Sequence, residues 1–492
     1  MKLLGWCVTG ALGLATISNQ VKLDSLNHHL IPVLIQLTPA NLPATGMDSR
    51  LVTELEMDTF AKAIYSSLNR HAARSGRGVK EILDEEVAKG NIPPYRFYSI
   101  SNTFAVEAQP WLIQQLATAP RVEEISSNKR TQSAVQRDSR ELSLLAWNQW
   151  DANQVHWSIN YINASSLPAH IYERAAQLRF ASADTGVEFT HPALASNYFG
   201  LQRDGSFDHN YAWWDANKVT NAFNPQAPCP INSQTPCDDH DHGTHTTGTA
   251  VGSMNIGVSP TSKWMACKNM YSNLGSPETY LGCLQFFLAP TNLQGTDPKP
   301  ELRPHVMGNS YGCPGAEGCT RTSFNYALRA LKAAGVFVSV SAGNAGIAGC
   351  SSISDPPAVD PDAFTVAATG YMSNDRALFS SLGPVRERPS LPIDISAPGV
   401  NITSAVRGNS FTSFQGTSQA APHISGAVLL IMAACPHLLR KVDLVADLLH
   451  QTATPLYPSL GCGKDEPNSL PNNEFGYGVV NVAKAIAQCR SE

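Results

Sequence analysis

Gly416-Thr417-Ser418-Gln419-Ala420-Ala421-Pro422-His423 opens an apolar run that continues through Ile424, Val428, Leu429 and Ile431. The spacing predicts a helix, and Gly416 permits close approach just before it. Ser418 then sits at a helix N-terminus, where unpaired N–H groups favour developing negative charge. A serine there needs a base to take its proton during attack. Three upstream motifs supply partners: Asp184-Thr185-Gly186, His242-Gly243-Thr244-His245 and Ala342-Gly343-Asn344. Asp…His…Ser is one of three unrelated chain orders that build the same nucleophilic triad. In that reading Ser418 attacks, His242 carries the proton and Asp184 orients the imidazole. Asn344 and the Ser418 N–H donate to the oxyanion.

The surroundings of these motifs alternate between strand and helix patterns. Residues 178–183 lead into Asp184, and residues 263–267, 305–310, 364–368 and 393–395 read as further strands. Residues 321–334 are helical, end at Gly335 and precede a buried strand at 336–341 that runs toward Asn344. The pattern predicts an α/β fold with a mostly parallel sheet covered by helices on both faces. Catalytic groups belong at the carboxyl ends of such strands, where Asp184 and Asn344 fall.

Residues 19–130 read as a separate small α+β unit. Strand patterns at 31–37, 96–100, 103–106 and 122–125 are interleaved with helices at 51–72 and 110–117, the second opened by proline. The order β-α-β-β-α-β is ferredoxin-like. Residues 128–140 are polar and mark the junction to a catalytic unit at 131–492. Residues 1–18 carry one basic residue, an apolar run to about Ala15 and a small-residue exit near Ser18, the pattern of a secretory signal. That run is too short for a membrane span.

A net charge of −5 gives no sign of a nucleic-acid partner. Cys7 lies in the leader. The other ten cysteines all lie at or beyond Cys229, which suggests disulfides in a secreted protein. Cys229–Cys237 and Cys313–Cys319 would close short loops, and the full connectivity stays open. Asn163-Ala164-Ser165 and Asn401-Ile402-Thr403 match the triplet of glycan acceptors in such a compartment, a triplet common by chance.

Taken together, the four motifs resemble the subtilisin-like serine proteases, the peptidase S8 or subtilase family. Ala397-Pro398-Gly399 and Phe475-Gly476-Tyr477-Gly478 extend the likeness toward the C-terminal end, and Phe104-Ala105-Val106 with residues 120–125 extends it into the first unit. Residues 309–319 and 354–358 look most like the bacillopeptidase F-like branch. The resemblance implies a secreted serine endopeptidase acting on proteins or peptides through an acyl-enzyme. It implies an inhibitory propeptide at 19–130, a monomer, and no nucleic-acid or membrane partner. No cofactor is required; structural calcium, common in the family, has no assigned residues. The resemblance also implies that Ser310-Tyr311-Gly312 binds an extended substrate as an added strand. The chain departs from the family pattern at Gln419, where Met is usual, at Leu382, where Arg is usual, and at Tyr311, where this branch has Trp.

Asp355 aligns near the base of the pocket for the residue before the scissile bond. A carboxylate there would favour a basic side chain, and Arg130 near the junction would match it. The alternative is that Asp355 packs against Pro356 and turns the loop while another protease cuts at Lys129-Arg130. Asp238-Asp239-His240-Asp241-His242 resembles a metal cluster, but its spacing matches no zinc motif. His245 reads as structural.

Overall fold

The computed structural model describes residues 15–42, 54–129, 131–132, 151–218, 228–385 and 393–490. Most of the expected signal, Arg130 and most of the junction lie outside the described residues.

The central sheet has seven strands: β7 (Arg179–Asp184), β8 (Trp213–Asp215), β9 (Lys263–Lys268), β11 (Val306–Asn309), β12 (Phe337–Ser341), β13 (Phe364–Thr369) and β14 (Ile395–Pro398). Their order is β14-β13-β12-β11-β7-β9-β8, and every pairing is parallel. Alternation along the strands builds two cores. Phe180, Trp264, Val306 and Phe337 face one side, while Ala181, Met265, Met307 and Val338 face the other. Burial on both faces explains the continuous apolar runs. On the first side lies the helix Thr417–Ala434, buried along its whole length. On the second lie the helices Pro277–Leu288 and Asn325–Ala333. The last of these is shorter than its sequence pattern, and Gly335, at φ +77°, turns the chain into β12.

All ten downstream cysteines are paired: Cys229–Cys237, Cys267–Cys283, Cys313–Cys319, Cys350–Cys462 and Cys435–Cys489. The two short loops pair as the spacing suggested. The fourth bridge, Cys350–Cys462, ties the loop after Asn344 to the C-terminal region, 112 residues on.

The N-terminal unit is a five-stranded sheet. Strands β2 (Ile31–Leu37), β3 (Arg96–Tyr98), β4 (Thr103–Ala108) and β5 (Val122–Ser127) lie in the order β5-β2-β4-β3 and are antiparallel. This is the ferredoxin-like arrangement. Two features were not legible. Thr16–Ile17 adds a short strand, β1, parallel to β5, although the sequence pattern places these residues in the leader. The helix Glu54–Ser75 is followed by a second, Arg77–Ala88. Gly76 lies between them, where a side chain would meet Ala72 O at 2.9 Å and the Phe104 ring at 3.2 Å.

The unit sits on the helix Pro277–Leu288. Arg96 forks onto Glu278, Tyr98 donates to the same carboxylate at 3.0 Å, and Asn128 donates to it at 2.8 Å. Asp58 pairs with the buried Arg303 at 2.6 Å. Past Asn128 the chain runs on as β6 (Thr131–Gln132), antiparallel to β10 (Leu274–Gly275).

Candidate active site

Four loops and helix ends converge at the carboxyl edge of the central sheet. Asp184 is the last residue of β7, and His242 is the first of the helix His242–Val251. The Asp184 Oδ1 to His242 Nδ1 distance is 2.8 Å, with both side chains almost fully buried. Asp184 is fixed further by the Thr185 N–H at 2.7 Å and the Thr246 hydroxyl at 3.3 Å. This leaves His242 Nε2 for other work. Gly243 is required here, since a methyl group on it would lie 2.1 Å from Gly186 O and 3.0 Å from Asp184 Cβ.

Burial alone pushes the His242 imidazole down. The Asp184 charge and hydrogen bond, helped by Asp238, outweigh it and hold the ring above its ordinary value. A base must be neutral to act, so the acid limb of kcat/KM is expected above pH ~6.5. A pH–rate profile on a peptide substrate checks this; an acid limb well below pH 6 would contradict it.

The helix bearing Ser418 packs against the helix bearing His242. The Ser418 hydroxyl donates to Ser310 O at 3.0 Å rather than to His242. Rotation about the serine χ1 would turn it toward attack. Pro422 explains a second contact. It has no N–H to donate to the carbonyl four residues back, and the Ser310 hydroxyl donates to Ser418 O instead, at 3.0 Å. The loop after β11 is thereby bolted to the helix start.

Asn344 follows β12. Its Oδ1 accepts from the Thr417 N–H and hydroxyl, both at 2.8 Å, which leaves Nδ2 to point elsewhere. A methyl group on Gly416 would lie 3.3 Å from Asn344 Nδ2 and 3.5 Å from the Ser418 nitrogen. The corner at Gly416 therefore has two N–H donors beside it, a geometry suited to an oxyanion, with Gln419 Oε1 also there at 2.9 Å.

Ser310, Tyr311 and Gly312 extend from β11. Tyr311 is buried, donates to Asn309 Oδ1 at 2.9 Å and stacks on Tyr280 with ring centroids 4.6 Å apart. Asp355 flanks Gly312: a methyl group there would lie 3.4 Å from Asp355 Cβ and 3.8 Å from its Oδ2. Burial raises the Asp355 carboxyl, partly offset by Ser354 and Arg321. A second acid lies nearby. Glu317 is buried, accepts from the Tyr280 hydroxyl at 3.0 Å and is pushed up to about 8, mainly by burial. Sequence reasoning passed over it.

Asp238, in the acidic stretch whose spacing matches no zinc motif, is a hub. It accepts from the Thr185 hydroxyl at 2.9 Å, the His240 and Asp241 N–H groups, and the Thr244 N–H and hydroxyl. It ties the Asp184 loop to the start of the His242 helix. Asp241 pairs with Arg407, and Asp239 with the buried Lys268 at 2.9 Å. Among the described residues no three His, Cys, Asp or Glu side chains are grouped to hold a metal ion. His245 holds the hairpin of β15 (Ile402–Val406) and β16 (Ser410–Phe414), through Ile402 O at 2.9 Å and Thr412 O at 3.2 Å. Burial, with His242 nearby, depresses it to about 3, so it stays neutral.

The sequence model of the subtilase family, peptidase S8, matches residues 178–478, well over half of the chain. The chain belongs to the subtilase family. Bacillopeptidase F of Bacillus subtilis is 33% identical over 436 residues, which cover 86% of this chain and 28% of that protein. This subtilase thus spans little more than a quarter of that relative's length. Subtilisin E of Bacillus subtilis is 28% identical over 338 residues, 68% of this chain and 72% of its own. Subtilisin-like protease 1 of Trichophyton rubrum is 30% identical over 256 residues, 51% of this chain and 41% of its own. The long match to bacillopeptidase F agrees with the branch that residues 309–319 and 354–358 resemble.

Proposed function

We propose that this subtilase is a secreted serine endopeptidase, made as a zymogen. The observation that carries the reading is the buried Asp184–His242 pair at 2.8 Å, together with a serine whose N–H and the Asn344 amide flank one corner at Gly416. Ser418 Oγ bonds to the scissile carbonyl carbon, and the carbonyl π pair moves onto its oxygen. The serine proton passes to His242 Nε2, and Asp184 stabilises the imidazolium. The oxyanion sits between the Ser418 N–H and Asn344 Nδ2. Collapse returns the proton to the leaving amine, and water then hydrolyses the acyl-enzyme by the same route. No step needs a cofactor.

The N-terminal unit is the inhibitory propeptide in this reading, supported by its grip on Glu278 and by the β6–β10 pairing. Five disulfides support an oxidising compartment. No described helix is long and apolar enough to cross a membrane. The test is a fluorophosphonate probe on the chain expressed through a secretory pathway, read by mass spectrometry. Ser418 should be labelled, and a new N-terminus should arise that is missing from Ser418→Ala. An N-terminus at Thr131 would fit a cut at Arg130; one beyond Gln132 would place the β6 strand on the acyl side. A folded, processed chain that takes no label would overturn the reading.

Asp355 is proposed to set a preference for Arg or Lys before the scissile bond, supported by its place beside Gly312. Asp355→Asn is expected to lower the Arg-over-Phe ratio of kcat/KM by about 10- to 100-fold, the worth of a charge-assisted hydrogen bond. A wild-type preference for Phe would sink this.

A further inference from the structure

Gln419 follows the nucleophile and is fully buried, yet neither end of its side-chain amide has a hydrogen-bond partner among the described residues. Leaving an amide desolvated and unpaired is unfavourable, so a ligand that enters is the natural partner. Its position says which ligand. A methyl group on Gly416 would lie 2.9 Å from Gln419 Oε1, closer than to Asn344 Nδ2 at 3.3 Å or the Ser418 nitrogen at 3.5 Å. The corner proposed for the oxyanion is therefore ringed by three polar groups, not two.

We propose that the Gln419 side-chain amide is a third donor to the oxyanion, an inference that rests on the serine endopeptidase reading above. The two ends of an amide fill equal space, and nothing in the protein fixes which end faces the corner. A carbonyl oxygen gaining charge demands the NH2 end. As Ser418 Oγ bonds to carbon and the π pair moves to oxygen, Gln419 forms no covalent bond and gives up no proton; it only donates a hydrogen bond. Such a bond strengthens as charge builds, so its loss should fall on kcat rather than on KM. Methionine, usual at this position in the family, has no donor to offer.

The test compares Gln419→Met and Gln419→Glu with wild type, using a peptide substrate across a range of pH and active sites counted by fluorophosphonate titration. Gln419→Met should lose about 10-fold in kcat, the worth of one net hydrogen bond, with KM within about twofold. Affinity for a peptide aldehyde, which forms a tetrahedral adduct, should fall in step with kcat/KM. Gln419→Glu should be worse than Met at alkaline pH, and its ratio to wild type should rise as pH falls and its carboxyl becomes a donor. A Met variant with undiminished kcat, or a Glu variant whose ratio to wild type is flat with pH, overturns the third donor. Ser418→Ala run alongside separates the two readings. A Ser418→Ala kcat within a few fold of wild type overturns the peptidase reading and this one with it, whereas a Ser418→Ala crippled by orders of magnitude beside an unimpaired Gln419→Met overturns the third donor alone.

Discussion

Ser418→Ala is expected to remove about six orders of magnitude of kcat while the chain stays folded. That figure is the one known for a subtilisin and is carried over to this relative. The substitution deletes a single oxygen, whose hydrogen bond goes to Ser310 O. The helix Thr417–Ala434 keeps its apolar packing, and Ser310 still donates to the residue-418 carbonyl, so the site's backbone stays in place. What disappears is the proposed nucleophile. His242→Ala should cost about as much, and the double variant little more, because the two act as one unit. The donors at Asn344 and the residue-418 N–H remain and should sustain a residual ~10³–10⁴-fold over water. Turnover of a peptide p-nitroanilide and the thermal midpoint, measured together, decide the matter. A loss of only a few fold in a folded variant would remove Ser418 from the nucleophile's role.

Arg96→Ala is expected to loosen the N-terminal unit from the catalytic unit by roughly 100-fold. Glu278 is almost fully covered by the contact, while Arg96 keeps 38% of its side chain exposed. Removing the arginine strands a buried carboxylate with only Tyr98 and Asn128 as donors, a change that costs about 2–5 kcal/mol at buried pairs. The exposure of Arg96 puts this case toward the low end. Burial pushes the Glu278 carboxyl up, but the Arg96 hydrogen bond and charge, with Asn128 and Tyr98, more than reverse this and hold it below its usual range. The sign follows for pH. The contribution is complete above the ordinary glutamate value and is lost only as pH falls through the depressed one, so mild acid should not release the unit. Hydrogen exchange in the Ser418→Ala background, where both units stay in one chain, is the measurement. Amides of β2 and β4 should exchange roughly 100-fold faster in Arg96→Ala; unchanged protection would sink the claim. A Glu278→Gln partner variant completes the double-mutant cycle.

Much of this was legible beforehand, for local reasons. The central strands are buried on both faces, so they read as apolar runs that any sheet of this kind must contain. Asp184, His242, Asn344 and Ser418 each sit in a short motif because each needs a tight turn or a helix start beside it. What was not legible depends on distance. Asp238 looked like one member of an acidic cluster, because its partner Thr185 lies 53 residues away. Glu278 reads as an ordinary first-turn acid until Arg96, 182 residues earlier, is placed against it. Cys350 and Cys462 carry no local sign of pairing, unlike Cys313 and Cys319. The helix Arg77–Ala88 was hidden by the glycine that divides it from its neighbour. Gln419 was visible as a departure from the family, but only the position of Gly416 gave it a destination.

Among the described residues, every disulfide lies within the catalytic unit, and none reaches the N-terminal unit. In the zymogen reading proposed above, the two share a chain before any cut, and the N-terminal unit acts as an inhibitor at an effective concentration on the order of 1 mM. A single hydrolysed bond at the junction turns that tethered contact into an ordinary bimolecular equilibrium. Its occupancy then depends on how much of the released fragment is in solution. If the enzyme is secreted as proposed, dilution of that fragment alone would switch it on, and crowding at the point of release would keep it off.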